Sequence, residues 1–307
     1  MMPLVFALED GLPLAGPLCK ALGAERGELV RRRFPDGETY LRVQTAPQDR
    51  HCVVLANLCN PDPGFLALVF LAATLRELGA TSVGLVAPYL SYMRQDKRFR
   101  AGEAVSSRIF ARRISAEVDW LATVDPHLHR YHSLGEIYSI PALALSATET
   151  LSSWVREQAG PLLLVGPDSE SRQWVGALGR KAGLPFVVGE KLRAGDREVS
   201  VRMPDLSPYL RHRALIVDDI ISSGHTVMET AGALRQAGLE QVECAAVHGI
   251  FAGDCERGLR AAGIRRLYTS NSIPSPHCAF DLAPLLADAV TGLLAQGGRG
   301  ATAGNRS

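Results

Sequence analysis

The segment from Val217 to Thr226, VDDIISSGHT, has the residue types and order of an anion site. Aliphatic residues 214–217 read as a strand, and a helical period begins near Val227. A short polar turn between a strand and a helix start gathers backbone N–H groups and the positive end of the helix dipole around one point. Ser222, Ser223 and Thr226 add hydroxyl donors, Gly224 gives the turn room, and His225 stands at the helix start. Asp218 and Asp219 fall at the carboxyl end of the strand, where ligands of α/β sheets bind. Two adjacent carboxylates suit vicinal hydroxyls on whatever the anion is attached to. Simple helix capping after an acidic strand end needs fewer such residues.

Four further segments carry chemistry-bearing residues. Arg94, Lys97, Arg98 and Arg100 put four cations within seven residues, interleaved with Gln95 and Asp96, a density that asks for solvent or a polyanion such as a triphosphate. His127 follows the strand 120–124, with His129 and His132 close behind, a spacing that matches no recognised zinc pattern. Asp168 follows the strand 162–165 and is placed either to cap the next helix or to help hold Mg²⁺, a hard ion that prefers oxygen. Lys191 and Arg193 lie in the polar stretch EKLRAGDRE, and only four of the 33 basic residues are lysines. Near the N-terminus, FPDGE (Phe34 to Glu38) is a proline–aspartate–glycine turn that holds an aromatic ring outward.

These residues need a scaffold, and the hydrophobic pattern supplies one. Short aliphatic runs (4–7, 52–56, 82–87, 162–165, 214–217, 242–247) alternate with helical periods (65–78, 105–114, 174–181, 227–236). That alternation predicts an α/β chain with mainly parallel, buried strands. Leu75, Arg76, Gly79 and Val83 recur as Leu234, Arg235, Gly238 and Val242 at a constant offset of 159, which points to an internal duplication. With 307 residues, two domains are expected: 1–146, 147–296, and a glycine-rich tail 297–307 expected to be disordered. The 33 basic and 32 acidic residues nearly cancel, so no global field draws the chain to nucleic acid or a membrane. No apolar run is long enough to span a bilayer, and six scattered cysteines predict a reduced, cytoplasmic protein.

Taken together, the VDDIISSGHT loop resembles the ribose-phosphate loop of type I phosphoribosyltransferases, and the whole chain resembles the ribose-phosphate pyrophosphokinase family. FPDGE, RQDKRFRAGE (94–103), TVDPH (123–127), GPD (166–168) and EKLR (190–193) match that family's segments in order. The resemblance implies two duplicated phosphoribosyltransferase-like domains and transfer of the diphosphoryl group of ATP to ribose 5-phosphate. It implies that Phe34, Asp36, Glu38, Arg94, Gln95 and Asp96 contact ATP. Asp218, Asp219 and residues Ser222, Ser223, Gly224, His225 and Thr226 would hold ribose 5-phosphate. Mg²⁺ would lie near His127 and Asp168, and Lys191 and Arg193 would stabilise the transition state. A homo-oligomer is expected. The chain departs from the family pattern at Ser169–Ser171, Ser222 and His225, and His225 would accept a left-handed backbone only at a cost. Alternatives are a non-catalytic regulatory relative, a base-transferring phosphoribosyltransferase, or the same transfer onto another sugar phosphate.

Overall fold

A computed structural model describes residues 2–194 and 198–300. The chain divides into two compact units, one formed by residues 1–146 with 272–274 and the chain from Leu282 onward, the other by 147–271 with 275–281.

The first unit runs β1 (Leu4–Ala7), α1 (Ala15–Leu22), β2 (Glu25–Gly27), β3 (Leu29–Arg33), β4 (Thr39–Val43), β5 (His51–Leu55), α2 (Pro61–Glu77), β6 (Ser82–Ala87), α3 (Ser106–Glu117), β7 (Trp120–Val124) and β8 (Ala142–Leu145). Six of these strands form a parallel sheet in the order β2-β1-β5-β6-β7-β8, and β3 and β4 form a separate antiparallel ribbon. Strands such as β6 (SVGLVA) are buried over nearly their whole length because helices cover both faces of a parallel sheet. Leu4, Phe6 and Val54 from the sheet meet Leu68, Leu71 and Leu75 of α2 in one core.

The second unit runs α4 (Thr148–Arg156), β9 (Leu162–Gly166), α5 (Arg172–Ala182), β10 (Phe186–Val188), β11 (Glu190–Ala194), β12 (Glu198–Arg202), β13 (Arg213–Ile221), α6 (His225–Gln236), β14 (Val242–Gly249), α7 (Cys255–Ala261), β15 (Ile264–Ser270) and β16 (Cys278–Phe280). Its sheet order is β10-β9-β13-β14-β15-β16, with β11–β12 as a ribbon. Period-two alternation buries both faces: Leu163, Val165 and Ile216 enter one core, and Leu162, Leu164, Leu215 and Val217 the other.

The two orders are the same arrangement built twice, β2-β1-β5-β6-β7-β8 matching β10-β9-β13-β14-β15-β16, with an antiparallel ribbon in the same place in each. The recurring residues fall on equivalent positions. Gly79 (φ 87°) and Gly238 (φ 96°) follow α2 and α6 in the left-handed region, and each donates to the carbonyl three residues back, Arg76 or Arg235, at 3.0 Å.

The expected boundary at 146/147 coincides with the division between units, but 147–296 is not one continuous second unit. A last helix, α8 (Ala283–Gly300), packs on α1, β7 and β8 of the first unit. Helix α8 also runs through residues 297–300 of the expected tail, and residues 301–307 lie outside the described residues.

Gly84 of β6 pairs with Trp120 of β7, and a Cβ at Gly84 would fall 1.9 Å from the indole Cε2. Gly84→Ala is expected to cost about 1–3 kcal/mol of overpacking, read as a lower midpoint in thermal unfolding. An unchanged midpoint would show that Trp120 swings aside freely.

Candidate active site

The second unit presents its acids and its helix start together at the carboxyl end of the sheet. Strand β13 is longer than the sequence pattern suggests: it pairs with β14 through Ile220–His248 and Ile221–Gly249, so both Asp218 and Asp219 lie within it. The turn is thereby reduced to Ser222, Ser223 and Gly224. The amides of Ile250 and Phe251 donate to the Ile221 carbonyl, and Ala252 N–H donates to the Ser222 carbonyl at 3.0 Å.

Gly224, not His225, takes the left-handed conformation (φ 75°), which removes the strain expected at His225. Gly224 is required twice over, because a Cβ there would also fall 2.6 Å from Cys255 Sγ. His225 is the exposed first residue of α6, and no side chain caps that helix start. The first-turn amides, which have no intrahelical acceptors, therefore face the polar turn together with Ser222, half-buried, and Ser223, exposed.

The equivalent helix start in the first unit is chemically different. Helix α2 opens Pro61-Asp62-Pro63, where two prolines remove N–H donors and an aspartate adds negative charge. Of the two copies, the second is the one that keeps its first-turn N–H donors.

Strands β9 and β13 are parallel neighbours, which brings Asp168 into the electrostatic field of Asp218. Desolvation by the surrounding protein is the main influence holding the Asp218 carboxyl well above the usual range. The charge of Asp219 comes next, then a hydrogen bond between the two carboxyls and the charge of Asp168. The amide of Asp219, donating to Asp218 Oδ1 at 2.9 Å, opposes the shift. Asp168 caps the 3-10 turn Ser169–Ser171, its Oδ1 accepting from the amides of Glu170 (3.1 Å) and Ser171 (3.3 Å). This capping fixes the carboxylate's orientation.

Lys191 and Arg193 occupy alternate positions of β11, opposite Val201 and Val199. Residues 195–197 of the EKLRAGDRE stretch lie outside the described residues.

In the first unit, FPDGE is the tip of the β3–β4 ribbon. Gly37 N–H donates to the Phe34 carbonyl (2.9 Å), Phe34 N–H to the Glu38 carbonyl (2.8 Å), and Glu38 N–H to Asp36 Oδ1 (3.2 Å). The exposed Phe34 ring meets Tyr40 edge-on, and the Arg32 guanidinium lies 4.6 Å from its centroid.

The cationic loop 94–103 folds around Glu103, whose Oε2 accepts from the amides of Phe99 (2.8 Å) and Arg100 (3.0 Å) and from Gln95 Nε2 (3.3 Å). Arg94 is exposed, whereas Asp96 is buried. After β7, Asp125 (φ 36°) and His127 (φ 57°) both hold left-handed backbones, a strain that marks functional loops in general. The His127 and His129 rings meet edge-on at 4.1 Å, and His132 N–H donates to Oε1 of Glu136, which also forms a capping box with Ser133.

Each sequence-predicted group is thus placed within its own unit, with Asp168, Asp218 and Asp219 near one another in the second. Sequence reasoning missed Arg130 and Tyr131, which bond to the cationic loop. Their signal in the sequence was an arginine and a tyrosine set inside the histidine cluster, between His129 and His132.

Comparison with known proteins agrees with this architecture. Residues 4–117 match the model of the N-terminal domain of ribose phosphate pyrophosphokinase, and residues 133–273 match the phosphoribosyl transferase domain. A ribose-phosphate pyrophosphokinase of Methanopyrus kandleri is 33% identical over 94% of this chain and 99% of its own length. The chain belongs to the ribose-phosphate pyrophosphokinase family. A ribose-phosphate pyrophosphokinase of Thermococcus kodakarensis is likewise 33% identical, over 86% of this chain and 92% of its own. The crystal structure of phosphoribosylpyrophosphate synthetase from Mycobacterium smegmatis shares the fold, with a TM-score of 0.81 at 23% identity over 96% of this chain and 100% of that one.

Because Asp218 binds protons more tightly in the folded chain than in the unfolded one, its contribution to stability is fully present below an unfolded pKa of about 3.9 and is lost as pH rises through the higher folded value. Asp218→Asn is therefore expected to flatten the fall in thermal stability with pH above about 4. Parallel pH profiles of the two proteins would contradict the placement of this charge.

Proposed function

We propose that this chain transfers the diphosphoryl group of ATP to the C1 hydroxyl of ribose 5-phosphate, giving 5-phosphoribosyl 1-diphosphate and AMP. The observation that carries the reading is the β13–turn–α6 anion site with its paired acids, in a chain that aligns with ribose-phosphate pyrophosphokinases over nearly its full length. The 5-phosphate sits on the amides and hydroxyls from Ser222 to Thr226. Asp218 and Asp219 accept hydrogen bonds from the ribose hydroxyls and so orient C1.

The C1 oxygen attacks the β-phosphorus of ATP, the bond from that phosphorus to the α–β bridging oxygen breaks, and AMP leaves with the electron pair. The hydroxyl proton departs to solvent. Phosphoryl-type transfer of this kind depends on position and charge stabilisation more than on a general base. Lys191 and Arg193 of the β11–β12 ribbon supply positive charge to the oxygens of the moving group. Arg94 and Gln95, with Phe34, Asp36 and Glu38, hold the nucleotide; Asp36 and Glu38 accept from the adenine amino group beside the Phe34 ring.

A divalent cation, Mg²⁺ in this reading, would neutralise the diphosphate oxygens. The donor set fits: Asp168, Asp218 and Asp219 offer hard oxygens, and the raised Asp218 carboxyl has a proton to give up when a cation takes its place. Among the described residues no three His, Cys, Asp or Glu side chains form a cage, as suits an ion that keeps much of its water and leans on substrate phosphates. His127 is the corresponding candidate in the first unit.

A cytoplasmic homo-oligomer completes the proposal. Exposed Leu66 and Phe70 on α2 and Ile109 on α3 offer apolar surface for a second copy, and no helix among the described residues is long and apolar enough to cross a membrane.

Purified protein with ATP and Mg²⁺ is expected to form AMP only when ribose 5-phosphate is present, one equivalent per phosphoribosyl diphosphate. AMP formation with another sugar phosphate alone would move the specificity elsewhere, and ATP binding with no AMP would favour a regulatory relative. Lys191→Ala is expected to lower turnover by about 10²-fold or more while nucleotide affinity changes little; an unchanged rate would remove Lys191 from the mechanism.

A further inference from the structure

Asp96 lies in the loop assigned to ATP, but its side chain is turned away from solvent. It is only 3% exposed, and both of its oxygens accept from Arg130 Nη1, Oδ1 at 2.8 Å and Oδ2 at 2.9 Å. The neighbouring Tyr131 hydroxyl donates to the Asp96 carbonyl at 3.1 Å. That hydroxyl accepts from Arg108 Nε at 3.2 Å and lies 3.2 Å from Ser107 Oγ, while Ser107 N–H donates to the Gln95 carbonyl. The Arg130 guanidinium also stands 5.7 Å from the ring of Phe99, at the far side of the loop.

Arg130 and Tyr131 therefore grip the cationic loop at its start and near its tip, and both belong to the segment that carries His127. A loop bearing Arg94, Lys97, Arg98 and Arg100 repels itself, so an external grip changes how well its outward groups are held. The buried carboxylate serves as the post for that grip.

We infer that Arg130 and Tyr131 are positioning residues that lock the loop 94–103 against the His127 segment, and that Asp96 acts through them rather than by touching the nucleotide. The inference deepens the proposed function and rests on reading this loop as the ATP segment. Arg94 and Gln95 then meet ATP from a fixed base. The geometry also predicts which substitution is tolerated. A single nitrogen serves both Asp96 oxygens, so a lysine ammonium can take its place, whereas alanine leaves a buried carboxylate without its cation.

The test is steady-state kinetics and ATP titration of Arg130→Ala, Arg130→Lys and Tyr131→Phe, with Arg94→Ala as the control. Arg130→Ala is expected to raise the KM for ATP about tenfold with the KM for ribose 5-phosphate within about twofold, and Arg130→Lys to recover most of the loss. Should Arg130→Ala fail to fold, Tyr131→Phe, which removes one hydroxyl, is expected to raise the KM for ATP about threefold.

If Arg94→Ala raises the KM for ATP while the Arg130 and Tyr131 variants leave it unchanged, the positioning role is wrong. It is equally wrong if Arg130→Ala raises both KM values together. If Arg94→Ala itself leaves the KM for ATP unchanged, the assignment of the loop to ATP fails, and this inference with it.

Discussion

Three carboxylates in one electrostatic field are the constraint around which the second unit is organised. Parallel pairing of β9 with β13 brings Asp168 and Asp218 into reach, and the extension of β13 to Ile221 fixes Asp219 beside them. For the chain alone this arrangement is unfavourable: burial first, and then the charges of Asp219 and Asp168, hold the Asp218 carboxyl above its usual range. In the proposed function a cation and sugar hydroxyls would relieve it. The neighbouring turn does the opposite job: with Gly224 as its N-cap, α6 has no side-chain cap and its first-turn amides face the polar turn. Negative charge next to a phosphate cradle is the combination a phosphorylated sugar with a bound cation requires.

Duplication supplied two such edges, and they diverged at particular residues. Glu9 stands two residues after β1, as Asp168 does after β9, but its carboxylate accepts from Asn57 N–H at 3.0 Å and is raised chiefly by burial. Pro61 and Pro63 close the first helix start to anions. The ribbons were kept in both copies, one ending in the Phe34 turn and the other carrying Lys191 and Arg193. The first unit is left with an exposed aromatic turn and a cationic loop, and the second with three acids beside an uncapped helix start.

Much of this was legible in the sequence because buried parallel strands are continuous aliphatic runs: β1, β6 and β7 begin and end where the pattern places them. The duplication was legible from its glycine stops, since a left-handed residue after a helix tolerates little else. The ends of β13 were not, because Asp218 and Asp219 look like loop residues until pairing with β14 carries the strand through them. Helix α8 returns to the first unit through packing between segments far apart in sequence, which no local period reports. The position of the left-handed residue within Gly224-His225 was likewise settled by backbone geometry. The signal at Arg130 could not be interpreted locally because its partner, Asp96, is distant in the chain and itself reads as a ligand group.

The central claim is that Asp218 meets cation and sugar phosphate together. Calorimetric titration of ribose 5-phosphate, with and without Mg²⁺, in buffers of different ionisation enthalpy measures the protons exchanged on binding. Release of protons that requires Mg²⁺ and disappears in Asp218→Asn is the predicted result. Binding of equal strength with no proton exchange in either protein would contradict the account.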